Sequence, residues 1–458
     1  MTDSPPGGLS DAIAGHVSGA GFEQLSPATV HAAKRALLDA VGVMSAASGL
    51  AAETRPFIDL AVAAAGRREA TILGTGERVP AALAAFANGA MAHALDYEDA
   101  FDAAPVHPNA SLVPAVLALA QARAPVSGRE LLTAIAVGCD LACRLALSLR
   151  RPLEEGGWYP PPILGAFGAV AGAARLLRLS PRQVVDALSL LLLQNSCPGE
   201  IKYSADTVIR AVREAFPAQA AVTVTLLAEA GIRGFSAPLE GRAGFYALFA
   251  AGQYESGEIL HDLGSRWYID ALSFKPWPSC RGTHAAIEAA LELRARVDVQ
   301  QIQSVIIEGG AVQAMLAEPL ARKRAPLTAI DAKFSLPFTV ATALVHGEVR
   351  LDSFDAAGLA DPAVLSLAAR CSYRERPAWA RQPVAGAIEL LLRDGQRCSR
   401  EVTDPAGSPS RPLDDARLTA KFVDCLGRAA RPLDAATAGR LAARILLIDE
   451  APDATALF

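Results

Sequence analysis

The amino-acid sequence predicts a mainly α-helical protein, in which a large helical domain formed by both chain ends carries a smaller, inserted α+β domain. Of its 458 residues, 52% are hydrophobic and only 6% are aromatic. A core built largely from Ala, Leu and Val suits closely packed helices better than sheets. Helix-like segments follow one another to about residue 265, and β-like alternation appears beyond it. At roughly 150 residues per domain, this length accommodates two large domains or three smaller ones.

The first segment, residues 1–268, is predicted to be a series of helices. The Ser-Pro pair at 26–27 combines an N-cap with proline at the first helical position, and its helix runs to Gly49. A lone strand or extended turn over 69–74 precedes an Ala-rich helix over 80–93. Further helices are predicted after Pro108, Ser127, Pro162, Ser180 and Thr207. Many are Ala-rich on several faces, which is typical of helices inside a bundle.

The pattern changes in the next segment, residues 269–403, which is predicted to be an α+β unit. An Asp-Gly pair at 394–395, after alternating apolar residues, indicates a β-hairpin. The predicted helices and strands are 283–296, 302–308, 333–346 and 388–392. The helical pattern returns over 404–458, so a second domain inserted into a helical one is the simplest organisation.

Composition and charge exclude several classes of function. The net charge is −5, which provides no basic surface for nucleic acid. The seven cysteines are an odd number without a Cys-x-x-Cys pair, which indicates a reduced, cytoplasmic protein. Residues 1–8 lack the features of a signal peptide, and apolar runs such as Leu190 to Leu193 are too short to cross a bilayer. We therefore expect neither nucleic-acid nor membrane binding.

The first candidate site lies at a predicted helix junction. An apolar helix through His93 breaks into Asp96 and further carboxylates, and His107-Pro108 opens the next helix. With proline at the first helical position, His107 becomes the N-cap, where the helix dipole disfavours a protonated ring. A neutral imidazole can act as a base. The alternative is a solvated acidic loop beside a buried structural His93.

The second candidate site lies at the predicted domain junction, where ligands commonly bind. Lys275 precedes Pro276 and Pro278, which fix the local backbone and hold the lysine in a defined direction. If Lys275 is desolvated there, its pKa falls and it becomes available for proton transfer. A solvated side chain is the alternative. Arg281 adds a cation, and His284 is as plausible a structural residue as a functional one.

The third region of interest surrounds Tyr159. Gly165, Gly168 and Gly172 follow it on a predicted helix, and because no strand precedes them they indicate close helix packing rather than a dinucleotide site. Lys202 lies in a loop between long helices, where it can bind a carboxylate or remain on the surface.

Together these motifs resemble the MmgE/PrpD family, which includes 2-methylcitrate dehydratases and cis-aconitate decarboxylases. The matching landmarks occur in order along almost the whole chain. They are Asn88-Gly89, His93 through Asp99, His107-Pro108, Lys275 through Cys280 with His284, Lys333 through Phe338 before Gly347, Asp404 through Gly407, Pro412-Leu413 and Lys421-Phe422.

The resemblance implies a large helical domain from residues 1–268 and 404–458, a smaller α+β lid domain over 269–403, and a homodimer with the pocket between the domains. The implied activity is proton transfer at the carbon α to a carboxylate of a small di- or tricarboxylic acid, without a metal or an organic cofactor. We expect catalytic roles for His107, Lys275, Asp96 and Tyr159, and substrate-binding roles for His93, Lys202, Arg281 and His284.

Two departures from the family pattern keep several functions open. Tyr159 stands where relatives commonly carry a histidine, and Ala100 stands where a Thr or Ser is common. A lyase that dehydrates or decarboxylates a citrate- or aconitate-like acid is the main hypothesis. The alternatives are an epimerase that uses His107 and Lys275 from opposite sides, and a non-catalytic binding or scaffold protein. A further alternative, suggested by Asp96-x-x-Asp99-x-x-Asp102, is a magnesium-dependent helical enzyme. The sequence disfavours it, because no second acidic motif follows on a partner helix.

Overall fold

The computed structural model describes residues 8–203, 207–380 and 382–458, and its fold is mainly α-helical. The helices up to residue 268 are Gly8–Gly19 (α1), Pro27–Leu50 (α2), Arg55–Ala63 (α3), Ala81–Ala94 (α4), Pro108–Ala122 (α5), Gly128–Ser148 (α6), Pro160–Leu176 (α7), Pro181–Leu191 (α8), Ile209–Val212 (α9), Ala215–Glu229 (α10), Phe245–Ala250 (α11) and Ser256–Leu260 (α12). Serine N-caps start several of them, and the Ser26 hydroxyl accepts a hydrogen bond from the Thr29 amide as the sequence predicted.

One element of this segment differs from the prediction. The expected lone strand is one half of a hairpin, because Ala70–Ile72 (β1) pairs antiparallel with Glu77–Val79 (β2). Gly74 and Gly76 both adopt positive φ in the connecting turn. The second strand escaped prediction because it is only three residues long and runs directly into Pro80 and helix α4.

The predicted close packing at the glycines of α7 is confirmed. A Cβ atom on Gly168 would lie 2.5 Å from the Gly138 carbonyl oxygen, and one on Gly172 would lie 2.8 Å from that of Ala134. Helices α6 and α7 therefore approach backbone to backbone. Only glycine permits so close an approach of two helices in the core.

Residues 302–402 contribute a four-stranded sheet, whose strand order is β4-β3-β5-β6. Its strands are Ile302–Gly309 (β3), Cys371–Glu375 (β4), Gly386–Leu392 (β5) and Arg397–Val402 (β6). Strand β4 runs parallel to β3, and the other two pairs are antiparallel. The β5–β6 hairpin turns at the predicted Asp394-Gly395.

Short helices occupy the same part of the sequence as this sheet. They are His284–Arg294 (α13), Ala311–Ala317 (α14), Leu320–Arg324 (α15), Ala329–Lys333 (α16), Leu336–His346 (α17), Ala356–Leu359 (α18) and Pro362–Ala368 (α19). The prediction of a single helix over 333–346 is wrong at its start. Ser335 separates α16 from α17, because its hydroxyl caps α17 by accepting from the Phe338 amide.

The last segment contributes Asp415–Gly427 (α20) and Ala435–Leu446 (α21). Helix α20 packs on α2 near the beginning of the chain, where Phe422 lies against Gly42. The C-terminal helices thereby close over the N-terminal ones.

Helix α6 is more apolar than the sequence analysis allowed. It is 21 residues long and, by length and composition, can cross a membrane, whereas apolar runs were predicted to be too short. Within the fold, 94% of its most apolar window is buried, as in a core helix.

Candidate active site

A sharp turn after helix α4 brings Asp96 to Lys275. The helix ends at Ala94, and Asp96 adopts a left-handed backbone conformation with φ of 49°. Aspartate tolerates this conformation better than most residues. The Lys275 ammonium donates to the Asp96 Oδ1 at 2.5 Å and to its carbonyl oxygen at 3.0 Å. The turn thus directs two oxygens of one residue at the same cation.

The pKa of Lys275 is shifted in the direction opposite to the prediction. Burial alone would lower it, but the carboxylates of Asp96 and Glu98 outweigh burial and raise it. The Lys275 Nζ lies 3.8 Å from Glu98 Oε1. Lys275 is therefore an ammonium at neutral pH. In this form it can donate a proton or stabilise a neighbouring negative charge, but it cannot act as a base. Conversely, Lys275 lowers the pKa of Asp96 despite its burial.

His107 caps helix α5 as predicted, with Pro108 at the first helical position. Its Nδ1 lies 2.8 Å from the Asp99 carbonyl oxygen. A carbonyl only accepts, so Nδ1 carries the proton and Nε2 is left with a lone pair. Burial lowers the pKa of His107 to about 3, even though Glu98 opposes the shift. The ring is neutral, chiefly because it is desolvated.

The carboxyl of Asp99, unlike that of Asp96, is protonated at neutral pH. Burial, with the nearby charges of Asp39 and Glu98, raises the pKa of Asp99 to about 8. Asn109 donates its amide to Asp99 Oδ2 at 3.2 Å. Because the carboxyl is neutral, Asp99 holds His107 through its backbone without adding a negative charge.

Glu98 connects the two histidines, a role that the sequence analysis did not assign. Its Oε1 lies 2.5 Å from His93 Nδ1 and 3.2 Å from His107 Nδ1. Burial raises the pKa of Glu98 and lowers that of His93. The His93 ring is fully buried, and its Nε2 has no hydrogen-bond partner among the described residues.

Three of these side chains have the spacing of a metal site. One ligand atom each from His93, Asp96 and Glu98 lies within 4.8 Å of the others. The Lys275 ammonium, however, lies against the same two carboxylates. A lysine thus supplies the positive charge that a metal ion would bring, so these residues do not fit a resident metal.

A basic pocket lies beyond Tyr159. We use this name for the small hollow, of about 20 Å³, whose cations are Lys202, Arg210, Arg322 and Lys323. Asp331 also lines it, and pairs with Arg322 at 3.0 Å and with Lys323 at 3.1 Å. The Arg210 guanidinium stacks 3.5 Å above the Phe334 ring and donates to Tyr159 Oη at 3.3 Å. The Lys202 ammonium lies 3.4 Å from Glu154.

Arg210 was missed because the sequence analysis considered only Lys202 in this region. An Arg-x-x-Arg pair at 210 and 213 was the available signal. The Arg213 guanidinium lies 5.1 Å from the Tyr159 ring centroid and pairs with Glu214 at 2.9 Å. Positive charge therefore surrounds the tyrosine.

Arg281 and His284 make contacts within the fold. Arg281 donates to both oxygens of Asp102, through Nε at 3.0 Å and Nη2 at 2.9 Å, and to the Ala406 carbonyl at 2.9 Å. The His284 Nε2 lies 3.1 Å from the Ser279 carbonyl oxygen, and burial lowers its pKa. These contacts join the 100–107 loop to residues 279–284 and 405–406. Substrate binding by either side chain stays a prediction.

A cavity of about 400 Å³ opens beside His107. We call it the apolar groove, because most of its lining is apolar: Ala100, Phe101, Ala103, Ala104, Pro105, Val106, Val312, Met315, Leu316, Ala380, Pro383 and Val384. One side is the 100–107 loop, and the other is formed by helix α14 with Ala380, Pro383 and Val384. His107 is the one histidine among the described residues that line it.

Comparison with known proteins gives a consistent result over most of the chain. Residues 11–256 match the MmgE/PrpD N-terminal domain, and residues 277–443 match the MmgE/PrpD C-terminal domain. A cis-aconitate decarboxylase-like protein of Aspergillus oryzae is 27% identical over 80% of this chain and 80% of its own length. The cis-aconitate decarboxylase of Mus musculus is 25% identical over 90% of this chain and 86% of its own.

A 2-methylcitrate dehydratase-like protein of Aspergillus oryzae is 27% identical over 85% of this chain and 83% of its own length. Both family domains are thus present in the expected order. His107 lies within the first, and Lys275 lies two residues before the start of the second. The chain belongs to the MmgE/PrpD family.

Proposed function

We propose that this protein is a cofactor-independent lyase that dehydrates or decarboxylates a small di- or tricarboxylic acid related to citrate or aconitate. The observation that carries the proposal is that a neutral His107 and the Lys275 ammonium both lie against Glu98 Oε1, at 3.2 and 3.8 Å. One group accepts a proton and the other donates one or stabilises negative charge. The relatives named as a cis-aconitate decarboxylase, a cis-aconitate decarboxylase-like protein and a 2-methylcitrate dehydratase-like protein support this reaction class.

In a dehydration, His107 Nε2 removes the proton from the carbon α to a carboxylate. The resulting enediolate-like charge is stabilised by the Lys275 ammonium. The bond to the β-hydroxyl then breaks, and the hydroxyl leaves as water with a proton from Lys275. In a decarboxylation, carbon dioxide leaves with cleavage of the carbon–carbon bond, and Lys275 protonates the carbanion. Asp96 holds Lys275 in position in both reactions.

The reaction class is tested by incubating the protein in deuterium oxide with a panel of citrate-like, aconitate-like and aspartate-like acids. We expect release of carbon dioxide or loss of water from at least one citrate- or aconitate-like acid, detected by mass spectrometry and NMR. Deuterium exchange with inversion, but without either loss, would establish an epimerase instead. The absence of both exchange and turnover with every acid would favour a non-catalytic protein.

Arg210→Ala is expected to raise KM for the best acid about ten- to a hundredfold, with a smaller change in kcat. We infer that Arg210 binds a substrate carboxylate in both the ground state and the transition state, and a charged hydrogen bond contributes about 1.5–3 kcal/mol. Steady-state kinetics measure the effect. Arg233→Ala removes an exposed arginine as a control. An unchanged KM for Arg210→Ala would remove Arg210 from substrate binding.

A further inference from the structure

Lys421, on helix α20, joins the two chain segments that carry the candidate reactive groups. Its ammonium donates to the carbonyl oxygen of Tyr97 at 2.6 Å and to that of Lys275 at 3.1 Å. It also lies 2.6 Å from Oδ1 of Asp39, which belongs to helix α2. An ammonium has three protons to donate, and these three oxygens account for all of them. Lys421 therefore fixes both segments to the helical core.

The two carbonyls belong to peptide units that directly adjoin the candidate reactive groups. The Tyr97 carbonyl lies in the peptide unit that precedes Glu98, and the Lys275 carbonyl lies in the unit that follows the Lys275 side chain. In the part of the chain that the structure describes, no other hydrogen bond reaches either carbonyl oxygen. The positions of Glu98 and Lys275 relative to each other therefore depend on Lys421.

Other contacts join the same segments without touching these two carbonyls. The Tyr97 hydroxyl donates to the Pro276 carbonyl at 3.3 Å, and Ala100 and Ser273 exchange backbone hydrogen bonds at 2.8 and 2.9 Å. A hollow of about 400 Å³ also borders Lys421, Tyr97 and Pro276. Water from this hollow can replace the ammonium as a donor, but it does not fix the carbonyls because it is not anchored to helix α20. Loss of Lys421 is therefore expected to loosen the two segments without unfolding them.

We propose that Lys421 is a positioning residue, which sets the distance between Lys275 and the loop of Asp96 and Glu98. It acts through the backbone of Tyr97 and Lys275 and does not contact the substrate. A misplacement of about 1 Å at a reacting group can lower a rate about a hundredfold. The effect of Lys421 on turnover rests on the proposed function, whereas its restraint of the two segments does not.

The test separates the two carbonyl hydrogen bonds from the ion pair. Asp39→Asn removes the negative charge but leaves Lys421 bonded to both carbonyls. Asp39→Asn combined with Lys421→Met also removes the donor, and it leaves no unpaired buried charge that would unfold the protein. For the best acid, we expect kcat to fall less than about threefold in the single variant and at least about tenfold in the double variant. KM is expected to change less than about threefold in both.

Lys34→Met is the matched control. Lys34 also lies on helix α2, and its 2.5 Å ion pair with Asp449 joins that helix to the C-terminal part of the chain without touching the candidate site. We expect this variant to lose stability in urea unfolding but to keep the kcat of wild type. A double variant whose kcat stays within about threefold of Asp39→Asn would overturn the proposal.

Amide hydrogen exchange gives a second measurement that requires no turnover. The amides of Ala100 and Ser273 are protected by their mutual hydrogen bonds, and they exchange faster when the two segments separate. Mass spectrometry of peptides that contain them is expected to show at least about tenfold faster exchange in the double variant than in Asp39→Asn. Equal exchange in the two variants would overturn the proposal. If wild type turns over no acid, only the lyase reaction fails, and the exchange comparison still decides the role of Lys421.

Discussion

Lys275→Ala is expected to lower turnover of the best acid at least about a hundredfold, the low end of general acid–base contributions. The substitution removes both a proton donor and the cation that faces Asp96 and Glu98. It also leaves those carboxylates buried without their partner, which costs about 3–5 kcal/mol of unfolding free energy. Steady-state kinetics and urea unfolding measure the two effects separately.

A double variant separates catalysis from stability. Lys275→Met combined with Asp96→Asn removes both charges, and asparagine accepts the left-handed backbone at position 96. We expect most of the lost stability to return while turnover stays low. A fall of less than roughly tenfold in a folded Lys275→Ala protein would exclude Lys275 from proton transfer.

His107→Gln is expected to reduce turnover by a similar factor, because glutamine keeps polarity but accepts no proton at neutral pH. The variant also allows a second, independent measurement, which is the pH dependence of the free energy of unfolding. The pKa of His107 is about 3 in the fold and about 6.5 in an unfolded chain. Between these values the unfolded state binds more protons, so wild-type stability decreases as the pH falls from 6.5 toward 3.

The glutamine variant lacks this proton-linked loss. Relative to wild type, it should therefore gain up to about 1.4 kcal/mol in unfolding free energy for each pH unit below 6.5. Urea unfolding of both proteins at pH 7 and pH 5 gives this difference directly. A difference that is the same at both values would show that His107 is not held neutral by burial.

Local sequence patterns predicted most helix starts and the later hairpin. Ser26 and His107-Pro108 are examples, because a cap and a proline act within a few residues of themselves. The β1–β2 hairpin and the break at Ser335 were missed. In both, a short element borders a stronger helical pattern, so the local signal is weak.

The site was predictable in its residue types and less so in its electrostatics. The sequence singled out His107, Lys275 and Asp96, which the structure brings close together, but not that Glu98 contacts the first two or that Arg210 reaches Tyr159. Those contacts join distant elements through tertiary packing. The pKa of Lys275 was predicted in the wrong direction because its two counter-charges depend on the turn at Asp96. The homodimer, the cytoplasmic location and the domain boundaries near 268 and 404 stay predictions.

Lys421 has a consequence for the way this protein is made. Its ammonium, on helix α20, donates to the carbonyl oxygens of Tyr97 and Lys275 at 2.6 and 3.1 Å and lies 2.6 Å from Asp39. During synthesis, His107 and Lys275 leave the ribosome long before residue 421. Until helix α20 follows, the carbonyl oxygens of Tyr97 and Lys275 lack their donor. A chain that has not yet been extended past residue 421 therefore lacks the hydrogen bonds that hold the backbone at Tyr97 and Lys275, and we expect the candidate site to become ordered only after helix α20 has been made.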